Sequence, residues 1–237
     1  MSGGSGSGDS SSVIQGGGPG ITNMTSPGKK PGETDQQKID LKKSQAELER
    51  QEGLRLGELK ARLEAAIEAN KTLRQFRKQL LIDITTEGLR IQIVDEQNRP
   101  MFAMSKAQLQ PYTKEILREI GRVLNDVPNK ISLSGHTDAT PYASGERSYS
   151  NWELSADRAN ASRRELIAGG MEDTKILRVV GLSSAVLMDR DNPFSPINRR
   201  ISIIVMNKKA EESVSKDGGT INVSQNMDVK AELNEGK

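Results

Sequence analysis

The sequence predicts an α/β two-layer sandwich, in which helices cover one face of a mixed β-sheet. Three observations predict this fold. Short segments alternate apolar and polar side chains, as half-buried strands do. Two longer segments between them repeat apolar residues at helical spacing. Glycine, proline or asparagine residues, which favour turns, separate these segments. The strand segments lie at 80–85, 89–94, 130–136, 176–181 and 200–206, and the helical ones at 107–125 and 155–168.

Residues 1–33 are rich in glycine, serine and proline, and their apolar residues are sparse. Such a segment cannot bury enough surface to offset its ordering entropy, so it predicts a flexible tether. Residues 1–8, MSGGSGSG, are typical of an artificial linker. At the other end, residues 208–237 are polar and predict a mobile tail.

Residues 34–79 predict a long charged helix, because Glu, Lys, Arg, Gln, Ala and Leu dominate and Thr34 or Asp35 can cap its start. One stripe on this helix follows alternating steps of three and four residues. The stripe comprises Leu56, Leu59, Leu63, Ala66, Asn70 and Leu73. Two interpretations stay open. The stripe packs on the domain of its own chain, or it is a seam that pairs two copies into a homodimer.

The domain expected at 80–207 begins with a hairpin, whose turn is predicted at Glu87-Gly88. Its second helix is expected to open at Ser155 as N-cap and to end at Gly169-Gly170.

Composition excludes several function classes. The 237 residues carry a formal net charge of +2, which argues against binding held mainly by phosphate neutralisation, so no nucleic-acid partner is expected. There is no cysteine and only one histidine. This excludes disulfides, thiolate sites, a cysteine nucleophile and multi-histidine metal sites. Neither a cofactor nor a metal is expected.

The candidate site lies where the third strand ends and the second helix begins. Asp138 leaves the strand at that edge, and Arg158 is expected in the first helical turn beside it. A carboxylate and a guanidinium that face one crevice suit a zwitterionic ligand. The carboxylate can hold an ammonium, and the guanidinium can bind a carboxylate through two parallel hydrogen bonds. The alternative is that Asp138 and Arg158 pair with each other.

Four motifs spread over more than sixty residues carry a resemblance. They are GHTD at 135–138, Asn151, LSADRA at 154–159 and NRRI at 198–201. Together they resemble the family of OmpA-like peptidoglycan-binding domains, over about residues 80–207. The resemblance implies a βαβαβ-type sandwich that grips the diaminopimelate part of the stem peptide.

In that resemblance, Asp138 holds the diaminopimelate ammonium and Arg158 holds its carboxylate. Thr137 precedes Asp138 in the same motif, and Asn151 and Leu154 match the family as polar and packing supports. Arg200 matches the arginine that opens the last strand. The implied role is binding, not catalysis.

Longer runs, among them ISLSGHTD at 131–138 and YSNWELSADRANASRREL at 149–166, resemble the B-subunit family of the bacterial flagellar-motor stator. This implies a periplasmic, homodimeric anchor of the stator on peptidoglycan, which transmits torque for motility. It also implies partnership with the stator A subunit through an inner-membrane helix that carries an ion-binding aspartate. No such helix occurs here, so the chain is expected to be a periplasmic fragment.

Two alternatives remain. One is the peptidoglycan anchor of an outer-membrane OmpA- or Pal-type protein. The other is a wall-active hydrolase that uses paired carboxylates from Glu146, Glu153 and Asp138. The lone His136 and the aromatic Tyr142, Tyr149 and Trp152 lie near the site and are expected mainly to pack.

Overall fold

The computed structural model describes residues 31–142 and 149–216, with the side chains of 31–38 and Thr72 left out. The predicted tether up to residue 30 and the tail from residue 217 therefore lie outside the described residues. The chain divides into two units, Met1–Glu47 and Leu48–Lys237. In the first unit, the described residues form the start of one long helix.

The second unit is the predicted sandwich, and the fold class is confirmed. Its mixed sheet has the strand order β1-β2-β5-β3-β4, with β3 and β4 parallel and all other neighbours antiparallel. The strands are β1 (Leu80–Thr85), β2 (Gly88–Val94), β3 (Ile131–His136), β4 (Ile176–Gly181) and β5 (Arg200–Met206). The helices are α1 (Pro31–Ala69), α2 (Lys71–Arg74), α3 (Pro111–Asn125), α4 (Asn151–Ala168) and α5 (Lys208–Ser215).

The β1–β2 hairpin turns at the predicted dipeptide. Gly88 has φ of +135°, a conformation that glycine adopts without strain. A Cβ there would lie 2.0 Å from the carbonyl oxygen of Val205 on β5. Glycine therefore serves both the turn and the close pairing of β2 with β5.

The start of α4 differs from the prediction. Ser150 is its N-cap, and Glu153 completes a capping box by accepting a hydrogen bond from the Ser150 N–H at 2.8 Å. Ser155 instead lies inside the helix, where its Oγ donates to the Trp152 carbonyl and accepts from the Ser183 N–H at 3.0 Å. Consequently Arg158 is the eighth residue of the helix and does not lie in its first turn.

Helix α4 lies against the sheet at very short range. A Cβ on Gly135 of β3 would lie 2.0 Å from the Ser155 carbonyl oxygen. Only glycine at this position allows the approach, which brings the first half of α4 close to the end of β3.

The other boundaries shift by a few residues. Helix α3 starts at Pro111, because residues 103 and 108 are still joined by a backbone hydrogen bond of 2.9 Å. Helix α1 ends at Ala69, and the Asn70 side chain accepts from the Leu73 N–H at 3.3 Å. The first residues of the expected tail form α5, capped by Asn207 at 2.8 Å from the Ala210 N–H. The first eight residues of the expected tail are therefore helical, and the mobility of the tail stays a prediction.

The apolar stripe of α1 is part of the domain core. Leu56, Leu59 and Leu63 are 1–3% exposed within the single chain, and they share one hydrophobic cluster with the sheet residues. Of the two interpretations, packing on its own chain is therefore the one found, and the pairing seam is wrong for these residues. Phe76 extends the same packing by stacking on Tyr112 of α3, with ring centroids 4.4 Å apart. Whether the chain is a homodimer through another surface stays a prediction.

None of the described helices combines the length and the apolar character needed to cross a lipid bilayer.

Candidate functional site

A cavity of about 370 Å³ opens at one edge of the sheet, where β2, β3 and β5 meet the start of α4. It is lined by Asp95, Gln97, Pro100, Phe102, Ala103, Met104, Ser105, Thr137, Asp138, Thr140, Pro141, Tyr142, Asn151, Leu154, Arg158 and Arg199. Five of the six residues predicted for the site are among them.

The strand register explains why charged residues from distant parts of the chain meet here. Arg200 of β5 lies opposite both Val94 of β2 and His136 of β3. The residues just beyond these three positions, Asp95, Arg199 and Thr137, therefore emerge side by side at one edge. Asp138 follows directly.

Asp95, Arg199 and Asp138 form a continuous chain of ion pairs. Arg199 donates from Nε to Asp95 Oδ2 at 2.8 Å and from Nη1 to Asp138 Oδ2 at 2.7 Å. The Asp95 side chain is 5% exposed, and its Oδ1 accepts from the Met101 N–H at 2.6 Å. Burial raises the pKa of the Asp95 carboxyl above its usual range, while the hydrogen bonds from Arg199 and Met101 oppose that shift.

Asp138 is held in a fixed orientation. Besides its pair with Arg199, it accepts from the Thr140 N–H with Oδ1 at 3.0 Å. Asn151 supports the same loop by donating to the Thr140 carbonyl at 2.8 Å. The simple alternative, a pair between Asp138 and Arg158, is not found, since no ion pair joins them in the part of the chain that the structure describes.

Arg158 faces the cavity from α4. Because Asn151, Leu154 and Arg158 are spaced by three and four residues, they share one face of the helix. The Arg158 guanidinium lies over the Phe102 ring, 4.8 Å from its centroid, and Nε donates to the Lys106 carbonyl at 3.1 Å. No described residue accepts a hydrogen bond from its terminal nitrogen atoms. Burial lowers its pKa, and the nearby charge of Asp95 opposes that shift.

Thr137 and Leu154 complete the predicted group. The Thr137 hydroxyl is buried beside Asp138 and has no hydrogen-bond partner within residues 31–142 and 149–216. Leu154 is 4% exposed and closes the apolar side of the cavity.

Arg200 does not lie with the others. It donates from Nη2 to the Val186 carbonyl at 2.9 Å, away from the cavity. The reason is the period of two along a strand, which sends Arg200 to the face opposite Arg199. His136 shares that opposite face. Burial and the charge of Arg200 lower its pKa to about 3, so its imidazole is neutral at physiological pH.

Sequence reasoning missed Asp95 and favoured Arg200 over Arg199. A signal for both existed. Ile93 and Ile201 are apolar residues of alternating strand segments and are fully buried, and Asp95 and Arg199 each lie two positions further along the same alternation. That face is the one covered by α4, which carries Arg158.

Of the carboxylates considered for hydrolysis, Glu153 is engaged elsewhere. Glu153 is engaged in the capping box, and its hydrogen bonds from Ser150 lower its pKa. A general acid in a glycosidase needs a raised pKa. Glu146 lies outside the described residues. Across the described ranges, no group of three or more His, Asp or Glu side chains could hold a metal ion.

The aromatic residues have mixed surroundings. Tyr142 lines the cavity and donates to the Ser105 carbonyl at 3.1 Å. Its ring lies 5.0 Å from that of Tyr149, whose hydroxyl donates to Asp157 at 2.7 Å. Trp152 is 54% exposed, so the expectation that it packs is wrong.

Known proteins resemble this chain both in the domain that contains the cavity and over most of its length. Residues 101–199, which contain most of the cavity, match the OmpA family. Motility protein B of Escherichia coli is 53% identical over 182 residues, which cover 77% of this chain and 58% of the relative. A shorter relative from the same species is named "Putative truncated flagellar export/assembly protein LafU". It is 36% identical, with 78% of this chain and 84% of its own length covered.

The chain therefore belongs to the motility protein B family and carries an OmpA-family domain. It spans a little under three-fifths of the length of motility protein B. A solved structure, a MotB-like protein of Desulfovibrio vulgaris, shares the fold with a TM-score of 0.57 at 16% identity. The alignment covers 68% of this chain and 99% of that one.

Proposed function

We propose that the cavity binds the stem peptide of peptidoglycan non-covalently, and that the chain is the periplasmic cell-wall anchor of a flagellar-motor stator. One observation carries the proposal. A single cavity holds an oriented carboxylate, Asp138, and a separate guanidinium, Arg158, whose terminal nitrogen atoms no described residue occupies. The diaminopimelate end of a stem peptide offers the complementary ammonium and carboxylate. Membership of a family named for motility supports the stator role.

Each residue has a distinct role in this proposal. Asp138 holds the ammonium, and Arg158 holds the carboxylate as a planar fork. Thr137 offers its buried hydroxyl, Asn151 fixes the loop that carries Asp138, and Leu154 packs against the aliphatic part of the ligand. Arg200 was the arginine expected at the ligand from the resemblance, and in this proposal Arg199 takes its place by holding Asp138.

The remaining partners belong to the larger protein. We propose a homodimer, with the stator A subunit as partner through the part of the relatives that this chain does not span. The proposed function is binding, with no cofactor and no turnover of the wall.

The test is co-sedimentation with purified sacculi. Asp138→Asn keeps the side-chain shape and removes the charge, and Arg158→Ala removes the fork. Losing one partner of a desolvated charged contact costs about 2–5 kcal/mol, so each variant should bind at least about tenfold more weakly.

Two matched controls separate the site from general charge effects. Arg163→Ala removes another arginine of α4, one that pairs with Asp173 at 2.6 Å and lies off the cavity. Asp83→Asn removes a carboxylate that pairs with Arg90 on the sheet at 3.1 Å. Both should sediment as the wild type does. Wild-type sedimentation of folded Asp138→Asn and Arg158→Ala would refute the site, and release of soluble muropeptides would refute the binding role.

A further inference from the structure

Asp95 is joined to Arg199 by two hydrogen bonds, one from its backbone and one to its side chain. Its backbone N–H donates to the Arg199 carbonyl at 3.1 Å, and its carboxylate accepts from Arg199 Nε at 2.8 Å. The carboxylate is almost fully buried, so its charge acts on its neighbours with little screening by water.

Arg199 is shared between two carboxylates. Its Nη1 reaches Asp138 at 2.7 Å while Nε stays on Asp95, and its side chain is 27% exposed. With Arg158, the described residues that line the cavity thus include two cations and two anions, so the charges of these residues balance. A zwitterionic ligand leaves that balance unchanged.

Without the charge of Asp95, the positive charges of Arg158 and Arg199 would exceed the negative charge of Asp138. Arg199 would then depend on Asp138 alone, and the arriving ammonium would compete with a guanidinium for one carboxylate. The cavity would also carry a net positive charge, which repels an ammonium.

We propose that Asp95 is a positioning residue, which retains Arg199 so that Asp138 can accept a ligand ammonium. This inference rests on the proposed function. In this role Asp95 acts on the ligand through the guanidinium of Arg199.

The experiment is isothermal titration of the folded chain with the tripeptide L-Ala-γ-D-Glu-meso-diaminopimelate. Asp95→Asn keeps an oxygen for the Met101 N–H and loses the charge that holds Arg199. Affinity should fall at least about tenfold. The double variant Asp95→Asn with Arg199→Gln restores neutrality, and it should recover most of that loss. A purely structural role for Asp95 predicts no recovery.

Asp83→Asn is the matched control, because Asp83 also pairs with an arginine, Arg90, and lies outside the cavity. It should bind as the wild type does. If Asp95→Asn does not fold alone, the double variant, which leaves neither Asp95 nor Arg199 as an unpaired charge, tests the same claim. It should then bind the tripeptide less than about tenfold more weakly than the wild type does.

Two results would overturn the inference. One is unchanged affinity in folded Asp95→Asn, and the other is a double variant as weak as the single one or, where the single one does not fold, at least about tenfold weaker than the wild type. If the wild type itself does not bind the tripeptide, the proposed function fails, and this inference fails with it. The wild-type titration therefore distinguishes the two failures.

Discussion

The burial of the apolar stripe of α1 predicts how substitutions there change the stability of the protein. The same substitutions test whether the stripe packs on its own chain or pairs two copies. Leu59 and Leu63 are each 1% exposed. A leucine-to-alanine change removes three carbon groups, and each buried group contributes about 0.8 kcal/mol. Transfer alone therefore costs roughly 2.4 kcal/mol, and the residual cavity raises the expected loss to about 2–5 kcal/mol per variant.

The assay is urea denaturation of Leu59→Ala and Leu63→Ala, followed by circular dichroism, with light scattering on the same samples. Leu54→Ala is the control on the same helix, because Leu54 is 57% exposed and should change the unfolding free energy by less than about 0.5 kcal/mol. The oligomeric state should not change in any variant. If the two core variants kept their stability and lost a dimer, the intramolecular packing of the stripe would be refuted.

Three further predictions concern packing, capping and protonation. Gly135→Ala places a Cβ 2.0 Å from the Ser155 carbonyl, so α4 must move; thermal melts should show a large loss of stability, and an unchanged melting temperature would contradict the close approach. Ser150→Ala removes the capping box of α4 and should lower the unfolding free energy by about 1 kcal/mol in urea, whereas no change would mean that the cap contributes nothing. His136, the only histidine, should titrate by NMR with a pKa of about 3, well below 6.5, and a pKa near 6.5 would contradict its burial. Because the unfolded chain binds that proton more readily, stability should fall as the pH drops from about 6.5 towards 3, and His136→Gln should weaken this dependence.

Most of the fold could be predicted from alternation alone. All five strands lie within one residue of their expected limits, because apolar side chains recur at every second position, which matches the period of two along a strand. The first residue of α4 was harder to predict from the sequence. Ser150 and Ser155 are both good caps by residue type, and only the reciprocal contact with Glu153 makes Ser150 the cap.

The two central charged residues of the site could be predicted from the sequence, but the residues that pair with them could not. Asp138 and Arg158 follow from motif and charge, and they do line one cavity. Their pairing partners do not follow, because the register of β2, β3 and β5 decides that Arg199 reaches Asp138 and Asp95. The fate of the α1 stripe was equally undetermined, since an apolar helix face can be covered by its own chain or by a second copy.

The most direct test of the proposed site compares two ligands on two proteins by isothermal titration. The ligands are the diaminopimelate tripeptide and the same peptide with lysine, which lacks the side-chain carboxylate. The wild type should bind the diaminopimelate peptide at least about tenfold more tightly, because only that peptide carries a carboxylate on the same carbon as the side-chain ammonium, where Arg158 can bind it while Asp138 holds the ammonium. Arg158→Ala should bind both peptides with nearly the same affinity. Equal affinities in the wild type, or a preference that survives in Arg158→Ala, would contradict the assignment of this cavity.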